Sequence, residues 1–447
     1  MTRMGLRTRS RRGIRAIALA VSLIAFSLFV VPAAHAALGF QDLSGKPANL
    51  AAGAHSNVNI HIGFSDPADQ VKDLTVHLPP GLVGNPTAAP LCTVAELNAD
   101  DCPATSQVGA VTAKVNVVVA GPLAVPLTIN GSLYNLTPQP GEPARFGIVL
   151  RAVGGVLPGT KIIQQSGVEL RRGDFGLDTI VNDFPRKASG LETDIKSLDL
   201  SLRGSVNGKG FMRNPTSCTP KAVRFDAVSY SGHAVHGTAP SFTPTNCSAL
   251  PFSPAFRATV GAPGATAPGS KIPLTTAIEQ APTEAGLRAA KILLPSGIEP
   301  DIALLSNTCS RLQFEVNATA CPAKSKVGTA GATSTFLPRA LTGTVVLVAP
   351  GPDDFLPRLG VELNGPLSLH LLGTFVIESA GPGNAFMKLP DIPIARFALR
   401  FHGGNNGLVS TSKNLCTAPP LRFTGVFDGF NGARVQSRPA ATVSGCG

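Results

Sequence analysis

The chain reads CPATSQVG from Cys102 to Gly109 and CPAKSKVG from Cys321 to Gly328. Six of the eight positions are identical, and working outward from the pair extends the match. LPPG at Leu78–Gly81 lies over LPSG at Leu294–Gly297, and Cys92 lies over Cys309. PARFGIVL from Pro143 lies over PRLGVEL from Pro357, Cys218 over Cys416, and Cys247 over Cys446. The offsets at Cys92, Cys102, Pro143, Cys218 and Cys247 are 217, 219, 214, 198 and 199. They hold nearly constant except for one drop, which marks a single insertion or deletion inside one copy. The chain is therefore an internal duplication, and a period of this size makes each copy a domain rather than a solenoid repeat.

The eight cysteines divide four and four. An even count in an exported chain predicts disulfides. Eight thiols allow about a hundred pairings, but a duplication requires both copies to pair alike. Nearness then selects Cys92–Cys102, Cys218–Cys247, Cys309–Cys321 and Cys416–Cys446, each contributing about 2.5–3.5 kcal/mol in a chain-entropy picture. A zinc site is not indicated, because there is no CxxC and no His stands at ligand spacing from any Cys. No cofactor is expected.

Alternating apolar and polar residues run through SNVNIHIGF, VKDLTVHL, AKVNVVVAGPL, SLDLSLRG and VRFDAVSY, and in the second copy through TGTVVLVAPG, PLSLHLLGTFVIES and IARFALRFHGG. Val, Ile, Thr and Phe dominate these runs, and Gly or Pro breaks them at short intervals. PTEAGLRAAKIL (Pro282–Leu293) has some helical character, but its counterpart reads as a strand. The expected fold is all-β: two tandem antiparallel β-sandwich or jelly-roll-like domains of roughly eight to eleven strands each. The first copy is placed at residues 37–257 and the second at 272–447. The Gly/Pro/Ala stretch 258–271 between them, without charge until Lys271, reads as a linker.

Residues 1–36 read as a secretory signal peptide. Arg3, Arg7, Arg9, Arg11, Arg12 and Arg15 precede the apolar run AIALAVSLIAFSLFVV, and PAAHA supplies small residues for cleavage after Ala36. SRRGIR also fits twin-arginine export. The overall charge of +11 shrinks accordingly. Without those six arginines, 32 basic residues face 27 acidic ones, a balance of +5. That is too mild, and too scattered, for nucleic-acid binding. No later apolar stretch reaches spanning length, so the mature protein is expected outside the cell or at its surface, with an unidentified envelope or extracellular partner.

The LPPG strand end (Leu78–Gly81), the C…CP…S.VG element (Cys92–Gly109) and the NP.SC start of the last disulfide loop (Asn214–Cys218) resemble the uncharacterised secreted cysteine-paired repeat proteins of high-GC Gram-positive bacteria. The resemblance covers nearly the whole mature chain and implies no known activity. The second copy departs from it with TSKNLC in place of NPTSC.

Candidate chemistry is sparse. His233 and His236 form HxxH at an expected hairpin tip with no carboxylate nearby, and read as solvent-facing turn residues. His55, His61 and His77 fall in two strands expected to be adjacent, where they could converge, but the second copy has no histidines there. Ser410–Lys413 matches SxxK, which needs a helix start to aim the lysine; here it stands in strand–turn sequence. Glu169 and Glu362 share GVEL and read as edge-strand charges rather than a glycosidase pair. With no Trp and only Tyr134 and Tyr230, the aromatic platforms typical of sugar binding are scarce. No catalytic, cofactor or metal residue is assigned. The sequence favours an exported non-catalytic structural or binding protein. The alternatives are a carbohydrate-active or carbohydrate-binding protein, and a carrier holding an apolar ligand in the cleft between the copies.

Overall fold

A computed structural model describes residues 37–446, apart from 66–68, 122 and 353. The signal sequence read at 1–36 lies outside the described residues. Copy 1 carries β1 (Phe40–Pro47), β2 (Val58–Phe64), β3 (Val71–Leu78), β4 (Gln107–Ala120), β5 (Leu123–Leu136), β6 (Ala144–Arg151), β7 (Lys161–Leu170), β8 (Leu177–Val181), β9 (Leu191–Leu202), β10 (Arg224–Ser229) and β11 (Ala234–Thr238). Copy 2 carries β12 (Ala255–Val260), β13 (Leu274–Glu279), β14 (Leu287–Leu293), β15 (Lys326–Ser334), β16 (Leu341–Val348), β17 (Arg358–Asn364), β18 (Ser368–Glu378), β19 (Gly381–Phe386), β20 (Ile394–Phe401), β21 (Thr424–Gly429) and β22 (Arg434–Ser437).

Each copy is built on one sheet of eleven shared strands, with one two-residue strand added in each: Lys187–Ala188 beside β9 in copy 1 and Thr442–Val443 beside β12 in copy 2. Along the first, the order is β1-β2-β9-β4-β5-β6-β7-β8-β3-β10-β11; along the second it is β12-β13-β20-β15-β16-β17-β18-β19-β14-β21-β22. Adding eleven to every label of the first order gives the second, so the duplication seen in sequence is a duplication of topology. Each sheet rolls over on itself. Phe40 of β1 lies 6.1 Å from Phe225 of β10, and Phe256 of β12 lies 5.7 Å from Phe427 of β21. The period-2 pattern sends one face of every strand into the roll, and the two apolar cores line the space between its leaves. The all-β, sandwich-like, twice-repeated class expected from the sequence is the one observed.

The twice-spelled fragment has a structural reason at nearly every position. Cys102 and Cys321 close disulfides with Cys92 and Cys309. Pro103 and Pro322 begin a short 3-10 turn, and the buried Ser106 and Ser325 hydroxyls donate back to those proline carbonyls at 2.6 and 2.7 Å. Val108 and Val327 are fully buried. Around them β4 and β15 slip register against β5 and β16, at Gln107/Gly109 and Lys326/Gly328, a bulge that twists the strand entry. Between the paired cysteines stand helices α1 (Val94–Ala99), opened by a capping box of Thr93 and Glu96, and α2 (Arg311–Val316), capped by Ser310. Each lies on the outer face of its sheet, with Leu97 packed on Tyr134, Leu136 and Val149, and Phe314 on Val346 and Val348. Gly147 and Gly360 make that docking possible: a Cβ there would stand 2.6 Å from Leu97 and 2.7 Å from Phe314.

The other two disulfides are Cys218–Cys247 and Cys416–Cys446. The copies meet ahead of the expected linker. β12 starts at Ala255 and pairs with β13, so copy 2 begins within a few residues of Cys247. Residues 261–270 of the expected linker connect β12 to β13, as 48–57 connect β1 to β2, and Gly/Pro composition there reflects turns rather than a hinge. Pro282–Leu293 ends in the strand β14, as its counterpart does.

Candidate functional site

The interior of each roll is not filled. In copy 2 a cavity of about 270 Å³ runs along the strands, lined by Leu359 and Leu363 of β17, Leu369 and Leu371 of β18, Phe386 of β19 and Phe397 of β20. In copy 1 a cavity of about 160 Å³ is lined by Leu74 and Val76 of β3, Ile148 and Leu150 of β6, Val168 of β7 and Leu198 of β9. Alternation explains both linings. In β17, Leu359, Val361 and Leu363 point inward, while Gly360 and Glu362 point out to α2. A cavity of about 150 Å³ with such walls stays dry and accepts a benzene-sized guest. Leu369 and Ile392 line both cavities, so a wall one side chain thick separates them.

The copies stack end to end. The end of copy 1 marked by Leu78 receives the opposite end of copy 2, and Phe336, Leu337, Leu367 and Ile392 of copy 2 complete the copy 1 cavity. Two of the sequence motifs sit at this junction. Thr216, from NPTSC, donates through its amide to Asp391 of copy 2 at 2.8 Å and through its hydroxyl to the same carboxylate. The hydroxyl in turn accepts from the Gly286 amide at 3.0 Å. Gly81, from LPPG, leaves space for the Asp391 carboxylate. Arg213 donates to the Glu284 carbonyl at 2.8 Å. Burial pushes the Asp391 carboxyl above the usual carboxylate range, against the hydrogen bonds from Thr216 and the charges of Arg213 and Lys221. These motifs therefore fasten copy to copy, a role that only the folded junction reveals.

The histidines are arranged otherwise than their spacing suggested. β2 and β3 are not adjacent; six strands separate them in the sheet. His61 pairs with Asp199 across β2–β9 at 2.6 Å, and His55 binds the Met212 carbonyl at 2.8 Å. His77 is held through Nδ1 by Asp178 of β8 at 2.7 Å and through Nε2 by Asp226 of β10 at 2.9 Å. His236 is not a bare turn residue. It stands in β11 opposite Asp226, 2.7 Å from its carboxylate. With both ring nitrogens engaged, His77 offers no base. His236 keeps Nε2 free, but no hydroxyl or thiol is bonded to it among the described residues. The missed signal was cross-strand: Asp226 is distant from His77 in sequence, and only the order β8-β3-β10-β11 aligns them.

Glu362 also departs from its reading as an edge charge. It is 4% exposed on the central strand β17, opposite His370 of β18, with 3.3 Å between Glu362 Oε1 and His370 Nε2. Burial beneath α2 lowers the His370 pKa, opposed by Glu362. Glu169 lines a separate polar groove with Glu142, Arg145 and Gln165 on the outer face of copy 1, without an aromatic ring; Arg145 holds Glu142 through two contacts of 2.8 Å. Ser410 lies in a strand pairing with Lys271 and Glu299, and Lys413 donates to the Ser296 carbonyl at 3.3 Å, so SxxK chemistry has no geometry here. Among the described residues no group of three or more His, Cys, Asp or Glu could hold a metal ion, and no helix is long and apolar enough to cross a membrane.

Comparison with protein-family models and with curated proteins gives no match. Among solved structures, the chain aligns with the type II cohesin dyad of the adaptor scaffoldin ScaA from Acetivibrio cellulolyticus at 8% identity and TM-score 0.17, covering 91% of this chain and 96% of that one. It aligns with a protein described as membrane anchored from Corynebacterium diphtheriae at 7% identity and TM-score 0.19, covering 89% of each. At such scores neither likeness bears on function.

Proposed function

We propose that this is an exported, non-catalytic binding protein that carries apolar ligands, one in the roll of each copy. The observation that supports this reading is the copy 2 cavity, with leucine and phenylalanine walls in an otherwise close-packed core. Ordinary interiors leave few voids larger than a water molecule, and an apolar void of this size is a favourable site for hydrocarbon. The copy 2 site lies within that copy, and the copy 1 site is completed at the junction by Phe336, Leu337, Leu367 and Ile392 of copy 2. Four disulfides favour an oxidising compartment, where a carrier would work without a chaperone to refold it. The structural-protein reading would leave the cavities without a use.

The test is a titration of the mature chain with a fluorescent long-chain polyene fatty acid. Saturable binding at one site, the copy 2 cavity, is expected, because the copy 1 cavity has only the volume for a benzene-sized guest. Leu371→Trp should fill the copy 2 cavity and abolish binding of this probe, whereas Ile148→Trp in copy 1 should leave it unchanged. An unaltered unfolding transition in Leu371→Trp tells filling from misfolding. Absence of saturable binding by the unmodified chain would remove the reading.

A further inference from the structure

The two cavities end differently. In copy 1 the end beside Leu78 is covered by Phe336 and Leu337 of copy 2. The matching end of copy 2 has no such cover among the described residues. Its cavity reaches Ile302 and Ile377, each 79% exposed, and Leu356. Next to Leu356 stands Phe355, with its ring wholly in solvent at 102%. No other phenylalanine among the described residues is exposed to this degree. Single exposed apolar side chains are ordinary, but three around the mouth of an apolar cavity form a patch that calls for an occupant.

The charges near this rim balance: three pairs are closed within the chain, and Glu299 and Lys413, which have no ion-pair partner among the described residues, offset one another. Lys291 meets Glu378 at 2.5 Å, Arg358 meets Asp354 at 2.6 Å, and Lys271 is paired with Asp301. The rim thus offers apolar groups without a net charge to steer an acidic or basic partner. A second copy of this chain fits poorly as the occupant. The seat that copy 1 gives copy 2 depends on Arg213 and Thr216, and the aligned positions of copy 2 hold Thr411 and Asn414. What the rim does fit is the interface of a lipid layer, where exposed Phe and Ile side chains gain by insertion and paired charges stay at headgroup level.

We infer that the open rim of copy 2, formed by Ile302, Phe355 and Ile377, docks on a lipid surface, and that the cavity behind it takes an acyl chain from that surface. This rests on the apolar-ligand reading above. The experiment is flotation of the mature chain with phosphatidylcholine vesicles, alongside binding of the soluble fatty-acid probe. The unmodified chain should float. Phe355→Ser, outside the cavity lining, should weaken flotation by about 10-fold or more while the probe still binds with unchanged affinity. Combining it with Ile302→Ser and Ile377→Ser should abolish flotation. Probe binding without flotation, or flotation undiminished in the triple variant, would overturn the docking inference alone. Flotation only on anionic vesicles and lost in salt would also overturn it, since that would report surface charge rather than the rim. Failure of both assays would overturn the docking inference and the carrier reading together.

Discussion

Copy 1 and copy 2 share every one of eleven strand positions and both disulfides, yet they differ wherever a surface meets something else. The sheet order, the bulged entry at CPxxSxVG and the helix docked over Gly147 or Gly360 are the same in both. One mouth is covered and the other open. Under α1 the cross-strand pair is Val149 and Ile163; at the same register under α2 it is Glu362 and His370. What is retained is what closes the roll, and what diverged is at its ends and beneath its helices.

The sharpest test of equivalence is in the cores. Phe225 and Phe423 are both fully buried, one in each core. Phe225→Ala and Phe423→Ala should each cost about 3–5 kcal/mol in chemical denaturation. A cost confined to one copy would break the comparison. The divergent pair separates the copies. His370→Ala should cost about 1–3 kcal/mol, because the imidazole packed edge-on against Phe314 and beside buried Glu362 is lost. Converting the pair to its copy 1 counterpart, Glu362→Val with His370→Ile, should be neutral or stabilise by up to about 4 kcal/mol. A large loss in the double variant would show that the Glu362–His370 contact is needed for the copy 2 sheet.

Smaller effects follow at the helix seats and the junction. Gly147→Ala and Gly360→Ala should each cost about 1–3 kcal/mol through overpacking against Leu97 or Phe314. Thr216→Val should cost about 1–3 kcal/mol by removing a hydroxyl bonded to Asp391, whereas Asn414→Val at the open end of copy 2 should cost less. Equal losses would mean that the junction is not fastened through Thr216. The smallest effect is in pH. The folded-state pKa of His370 is depressed by burial, so its contribution is present above the unfolded value of about 6.5 and is lost as pH falls through the folded value. The melting temperature of the unmodified chain should therefore drop more steeply below about pH 6.5 than that of the Glu362→Val, His370→Ile variant.

The duplication, the strand-rich class and the cysteine pairs were legible because they are written locally: a repeated turn, an alternating run, four cysteines per copy. The start of copy 2 was not legible, because β12 runs into the Gly/Pro stretch with little contrast in composition. Sheet order was not legible, and everything that depends on it went unseen. His77 and Asp226 meet because β3 and β10 are neighbours; His61 and His77 do not meet because β2 and β3 are far apart. The cavities were hidden for a related reason. An inward Leu reads the same whether it touches a neighbour or borders a void.

The junction at Asp391 bears on how such a chain could have grown. Stacking one copy on the end of the next is an open-ended rule, and repeated without change it makes a fibre rather than a molecule. Arrays of this kind need a terminal unit whose outer face is edited. Where copy 1 has Pro215 and Thr216 to grip its successor, copy 2 has Lys413 and Asn414, and the lysine reaches across to Ser296 on the same face. The grip that copy 1 has on its neighbour is therefore not spelled a second time, and the stacking rule is interrupted at the matching face of copy 2.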